Sequence, residues 1–230
     1  VIPIYDTIKS STVPWVTRAI IVVNLAVFAY MALLDGRWLS FDGPRVNAFI
    51  LEWAFKPATL LQNPLDAVRD IFASMFMHGG LEHIVGNMLF LWIFGDNIED
   101  RLGHGRFLGF YLGGGVVAAL SQAVLGGFLA GNPSGPMLGA SGAIGAVLGA
   151  YLTLYPTSQI YTIIFPLFRF FIPAFVYLPY WALIQFVQLS SGQAGVALWA
   201  HIGGFVFGLV AVRFLASAEP DFISRGRFGR

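Results

Sequence analysis

The stretch Gly139-Ala-Ser-Gly-Ala-Ile-Gly-Ala-Val-Leu-Gly-Ala150 sets a serine among glycines at the head of an apolar run. Ser141, Gly145 and Gly149 are four apart, so a helix here puts all three on one face. That face carries almost no side chains, and a second helix can approach it closely. The one group on it with chemistry to offer is the Ser141 hydroxyl, at the helix N-terminus.

Working outward, the chain is not that of a soluble domain. Of its 230 residues 57% are hydrophobic and 11% charged, with a mean hydropathy of +0.73. Globular domains carry about 25% charged residues. Trp15–Leu34 holds a single charge, Arg18, and is long enough to cross a bilayer. Similar runs recur at Leu81–Phe94, Phe107–Leu125, Ser141–Tyr155, Ile172–Leu189 and Leu198–Leu215. None alternates as a barrel strand would. The expected fold class is therefore all-α: a polytopic membrane bundle of six spans over 15–215, with a segment 1–14 before it and a polar, basic tail 216–230 after it. Residues 1–14 do not read as a signal peptide, so Trp15–Leu34 is expected to be a retained first span.

The first connection, Asp35 to Met77, is too long for a turn and too rich in Phe49, Ile50, Leu51, Trp53 and Phe55 for a disordered linker. A structured, partly helical loop in the membrane interface is expected. With six spans, Lys9, Arg18, Arg101, Arg106, Arg169, Arg213, Arg225, Arg227 and Arg230 fall on one side, against four basic residues in the long loop. The positive-inside bias then puts both termini in the cytoplasm and starts the fourth span, at Ser141, on the outer side. That span is short, about 22 Å against a hydrocarbon core of roughly 30 Å. Ser141 is thus expected below the outer surface, with Asn132–Gly139 dipping in to reach it around a water-filled cavity. The absence of cysteine excludes disulfides and thiolate chemistry, and the even charge balance offers nothing for nucleic acid.

His201 heads the sixth span, with Gly204 and Gly208 at i+3 and i+7 on its face. Two bare faces, one led by a hydroxyl and one by an imidazole, can cross closely and set a nucleophile beside a base. Glycine faces also occur as plain helix packing, but an intramembrane histidine is costly without a use. No Asp or Glu lies within either span, which indicates a dyad. His83 and Asn87, four apart in the second span, can both donate hydrogen bonds, as can the Ser141 backbone N–H. Such donors suit a tetrahedral oxyanion. His78-Gly-Gly-Leu-Glu-His83 matches neither zinc-protease spacing, and Gly79-Gly80 breaks the helix that would align the two rings, so no metal is expected. His104 is expected to be solvated.

Three motifs together resemble the rhomboid intramembrane serine proteases. They are Gly139-Ala-Ser-Gly142, Ala200-His-Ile-Gly-Gly-Phe-Val-Phe-Gly208 and His78-Gly-Gly-Leu-Glu-His-Ile-Val-Gly-Asn87, in that family's order and layout. The resemblance implies a six-span bundle and a Ser141–His201 dyad. It also implies oxyanion assistance from His83, Asn87 and the Ser141 amide, and no cofactor. His78, Gly139, Gly142, Gly145, Gly204 and Gly208 would support that site. The implied substrates are single-span membrane proteins in the lipid bilayer, cut near the outer end of their helix and entering between spans two and five. A bacterial six-span member implies a prokaryotic plasma membrane. Two positions depart from the pattern. Gly145 stands where some members stack an aromatic on the histidine, and Ala67-Val-Arg-Asp70 lacks the Trp of a first-loop Trp-Arg pair. The rival reading is a non-catalytic binder, channel or proton-coupled transporter, which would not require a serine at a helix head.

Overall fold

A computed structural model describes residues 1–39, 41–164, 168–190 and 197–216. In chain order the elements are β1 (Ile2–Asp6), α1 (Trp15–Asp35), α2 (Pro44–Trp53), α3 (Thr59–Gln62), α4 (Pro64–Ser74), α5 (Leu81–Leu102) and α6 (His104–Ser121). A π-helical turn, Gln122–Phe128, prolongs α6. Then come α7 (Ser141–Leu154), β2 (Gln159–Ile164), β3 (Phe168–Pro173), α8 (Ala174–Ser190) and α9 (Leu198–Leu215). Residues 217–230, most of the expected tail, lie outside the described residues, as does most of the turn before α9.

α7 is the axis of the molecule. Every residue from Gly142 to Tyr151 is buried, as expected of a helix apolar all round and enclosed by others. α9 lies against it backbone to backbone. A methyl group placed on Gly204 would sit 2.0 Å from the Gly142 carbonyl oxygen, and one on Gly208 would sit 1.9 Å from that of Ala146. The side chains that face outward, among them Val22, Leu33, Trp92, Leu183 and Phe214, are large, apolar and exposed. That arrangement suits a helix bundle bathed in lipid. Among the described residues three helices are long and apolar enough to cross a membrane: α1, α6 with its π turn, and α9; α7 is a shorter apolar helix. α5 is long enough but carries Glu82, Asp96, Glu99, Asp100 and Arg101, which gather mainly at one end. The expected six spans are thus not all marked as such by their own composition.

The long first connection is folded as α2, α3 and α4. Asp35, at the end of α1, accepts from the Val46 N–H at 2.8 Å and so caps α2. On α4, Leu65, Val68 and Phe72 form an exposed apolar stripe opposite buried Ala67, Asp70, Ile71 and Ser74. Such a helix suits the membrane interface. The tryptophan absent beside Arg69 in sequence is supplied by α2 of the same loop: the Arg69 guanidinium lies over the Trp53 ring at 4.8 Å and pairs with buried Asp70 at 2.7 Å. The segment leading to Ser141 is strapped to the same loop. Phe55 and Met137 exchange both backbone hydrogen bonds, and the Gly139 N–H donates to the Ser74 carbonyl at 2.8 Å. Part of its irregular backbone is therefore satisfied by the first connection itself.

One departure from an all-α architecture is a three-stranded antiparallel sheet, ordered β1-β2-β3. It sits at the end of α7 remote from Ser141. There Asp6 accepts hydrogen bonds from the Tyr151 hydroxyl and from Asn97 Nδ2 at 2.9 Å. Nearby, buried Glu99 accepts from the backbone N–H of Val16 at 2.9 Å and of Thr17 at 2.7 Å, and from the Thr17 hydroxyl at 2.6 Å. It thereby caps α1, whose own N-cap is a proline. His104 is not simply solvated: its Nδ1 lies 2.5 Å from Glu99.

Burial, reinforced by the charge of Asp96, raises the Asp6 carboxyl from 3.8 to about 6, against the hydrogen bonds that oppose it. A raised carboxyl binds its proton more tightly in the folded state, so folding stability falls as pH rises from about 4 to 6. Asp6→Asn keeps an oxygen for both donors and removes the titration. Thermal unfolding should show the variant gaining on wild type as pH rises from 4 to 7; parallel pH curves would show that Asp6 does not titrate there.

Candidate active site

Ser141 is the first residue of α7. It is delivered by Gly139, whose φ of +123° lies where side-chain-bearing residues are strained. A methyl at Gly139 would also meet the His83 ring at 2.8 Å. His201 stands in the first turn of α9, whose start is held by Gln122 of the π turn accepting from the Trp199 N–H at 3.1 Å. Because Gly204 and Gly208 let α9 settle on α7, the two side chains meet. His201 Nε2 lies 2.7 Å from Ser141 Oγ, within the range of a nucleophile–base hydrogen bond.

The second-span residues gather at the same end. His83 Nδ1 accepts from the Gly79 N–H at 3.3 Å. That places the ring proton on Nε2, the edge turned toward Gly139. Buried His78 packs edge-on against His83, their ring centroids 5.0 Å apart, and fixes its plane. Asn87 is 8% exposed, and its Nδ2 is buried without a hydrogen-bond partner among the described residues. An unmet buried donor is costly. Here it lies one turn from His83, on the same α5 face. The first N–H groups of α7, Ser141 included, lack intrahelical acceptors and carry the positive end of the helix dipole.

Two residues at the site were not foreseen. Gln185 of α8, 8% exposed, places its Oε1 2.7 Å from His201 Nδ1. Trp181, one turn earlier, tilts beside the same ring with centroids 6.1 Å apart. They contact the His201 ring, which has no aromatic at position 145 to stack on. Gly145 itself faces the His201 backbone, with a methyl there meeting the carbonyl oxygen at 2.8 Å. An amide in an otherwise apolar span, where only Gln185 and Gln188 stand, is the signal that could have singled out Gln185. Among the described residues no group of His, Cys, Asp and Glu could hold a metal ion.

A family model described as the rhomboid domain matches residues 66–218, which takes in most of α4, all of α5 to α9 and every site residue of this section. The chain belongs to the rhomboid family. It is 35% identical over 148 residues to the human mitochondrial presenilin-associated rhomboid-like protein, covering 61% of this chain and 36% of that one. It is 27% identical over 207 residues to the mitochondrial Rhomboid protein 1 of Saccharomyces cerevisiae, covering 87% of this chain and 53% of the relative. To the rhomboid protease GlpG of Klebsiella pneumoniae it is 32% identical over 148 residues, covering 64% of this chain and 46% of the relative. This rhomboid thus spans between about a third and a half of the length of the curated relatives it matches. They divide between mitochondrial and bacterial proteins, so the expected prokaryotic plasma membrane is one of two settings in which its relatives occur. It is an integral membrane protein of a family that includes intramembrane serine proteases.

Proposed function

We propose that this rhomboid is a serine endopeptidase that cuts the transmembrane segments of single-span membrane proteins, near the outer end of their helices, with a Ser141–His201 dyad. The observation that carries the reading is the 2.7 Å contact between Ser141 Oγ and His201 Nε2 at the head of two helices buried in an apolar bundle. Ser141 Oγ attacks the scissile carbonyl carbon while its proton passes to Nε2. The tetrahedral oxyanion forms beside His83 Nε2–H, Asn87 Nδ2 and the Ser141 N–H. Its collapse breaks the C–N bond, and the leaving amine takes the proton back from Nε2. A water, deprotonated by the same nitrogen, then attacks the acyl carbon; the C–Oγ bond breaks, Ser141 Oγ takes the proton back from Nε2, and the acid product leaves. No step calls for a metal or cofactor. The bundle contributes preorganisation: donors fixed in an apolar surround need little reorientation as charge develops.

Positive-inside counting places the termini, the sheet and the α5 acidic cluster on the cytoplasmic side, with Ser141 toward the other. Six crossings, with α5, α7 and α8 completing those of α1, α6 and α9, agree with that placement.

The test is a single-span substrate co-reconstituted in liposomes with the wild type or with Ser141→Ala. Cleavage within the substrate's span by the wild type alone supports the reading, and equal cleavage by both contradicts it. Asn87→Ala should lower kcat roughly 10²-fold with KM little changed, the signature of a lost oxyanion donor. A rise in KM alone would assign Asn87 to substrate binding.

A further inference from the structure

We infer that Gln185 is a positioning residue that sets the tautomer of His201 and makes the competence of the dyad depend on the seating of α8. The inference rests on the protease reading above. Its starting point is the orientation of the Gln185 amide. Its Nε2 donates to the Trp181 carbonyl at 3.4 Å. A carbonyl accepts only, so the amide nitrogen must lie on that side and Oε1 must be the atom facing His201 at 2.7 Å. Oε1 in turn can only accept, so His201 carries its proton on Nδ1. Nε2 is then unprotonated and free to take the Ser141 proton, which is the tautomer a base requires. Once Nε2 is protonated, the Nδ1–H bond to Oε1 persists and steadies the imidazolium with a dipole, where no carboxylate is present.

The helix that carries Gln185 is held differently from the other two. α7 and α9 meet backbone to backbone over Gly142–Ala146 and Gly204–Gly208. α8 meets α9 and α7 at few positions among the described residues, and its contacts to α9 run through the side chains of Trp181 and Gln185. It contains Pro179, which removes one backbone hydrogen bond, and exposes Phe175, Val176, Tyr180, Leu183 and Val187. Displacing α9 would break the close glycine contacts; displacing α8 breaks far fewer. A displaced α8 carries Gln185 away from Nδ1, and His201 is then free to rotate or to place its proton on Nε2. Catalysis resumes when α8 reseats around the bound segment.

The titratable neighbour acting on His201 is His83 of α5, and from α6, α7, α8 and the π turn no charged side chain acts on the ring among the described residues. A pH profile can therefore report on Gln185 directly. In proteoliposomes, cleavage of a single-span substrate is followed as a function of pH for wild type, Gln185→Leu and Gln185→Glu, with thermal unfolding as a check on folding. Gln185→Leu should lower kcat roughly 10- to 10³-fold with KM within twofold, less than the ~10⁴ lost when a triad's orienting group fixes the wrong tautomer. Gln185→Glu still accepts from Nδ1–H. It should retain activity within about tenfold of wild type and move the acid limb of the kcat profile to higher pH, because a carboxylate favours the imidazolium. A residue that only packs would change the amount of folded enzyme and leave that limb in place. Should Gln185→Leu lower the unfolding temperature, Gln185→Met supplies the same test with a more adaptable side chain. Wild-type kcat and an unmoved acid limb in the folded variants overturn this inference alone. A folded wild type that cleaves nothing, and whose Ser141 is inert to a serine-hydrolase probe, overturns the protease reading beneath it.

Discussion

A His201→Ala variant is expected to lose at least about 10⁴ in kcat/KM toward a single-span substrate while keeping its fold, because the Ser141 hydroxyl is left with no group to take its proton. The ring touches Ser141 on one side and Gln185 on the other, and its removal opens a space at the head of α9 without disturbing the glycine contacts below. Residues that act as one unit give strongly non-additive losses. Ser141→Ala, His201→Ala and the double variant should therefore fall to the same residual rate within about tenfold. Losses that multiply in the double variant would mean that the two side chains contribute separately, and would remove the dyad. Unfolding transitions of all three should stay close to wild type, since Ser141 and His201 both sit in the first turns of their helices and outside the fully buried run Gly142–Tyr151.

The second large effect is expected at Gly145. A methyl there would lie 2.8 Å from the His201 carbonyl oxygen and 3.3 Å from the Phe205 nitrogen. Those contacts are tight enough to move the α9 backbone by tenths of an ångström, though short of the 2.0 and 1.9 Å approaches at Gly204 and Gly208. Gly145→Ala should thus fold and lose on the order of 10²-fold in kcat, the scale of a misplacement near 1 Å. Gly145→Leu should push His201 out of reach of Ser141 and abolish cleavage in a protein that still unfolds cooperatively. Gly208→Leu, by contrast, meets backbone with nowhere to yield and should fail to fold. Full activity in a folded Gly145→Leu protein would show that α9 does not pack on this face. The tightest point of the crossing is consequently Gly204–Gly208, and Gly145 is where crowding is felt by the chemistry first.

The α7/α9 pair was legible because a helix repeats every 3.6 residues and glycines at that spacing leave one face bare; both faces and both polar heads can be read from the string. The starts of α7 at Ser141 and of α9 at Leu198 agree with that reading. What pairs across distance was not legible. β1 is a short apolar segment whose partner β2 begins at Gln159, and neither strand alternates long enough to announce itself. Trp53 and Arg69 meet only because α2 and α4 fold back on each other. Gln185 lay in plain view, but two amides three apart, Gln185 and Gln188, do not say which of them faces His201, sixteen residues on. His104 likewise looked exposed until Glu99, five residues earlier, turned inward to cap α1.

The most direct measurement is covalent. The purified rhomboid is incubated with a mechanism-based serine-hydrolase probe, and the modified residue is located by peptide mass spectrometry in wild type and in His201→Ala. The dyad predicts an adduct on Ser141 in the wild type and none in His201→Ala. No adduct on Ser141 in the folded wild type, or equal labelling in the two proteins, would contradict it.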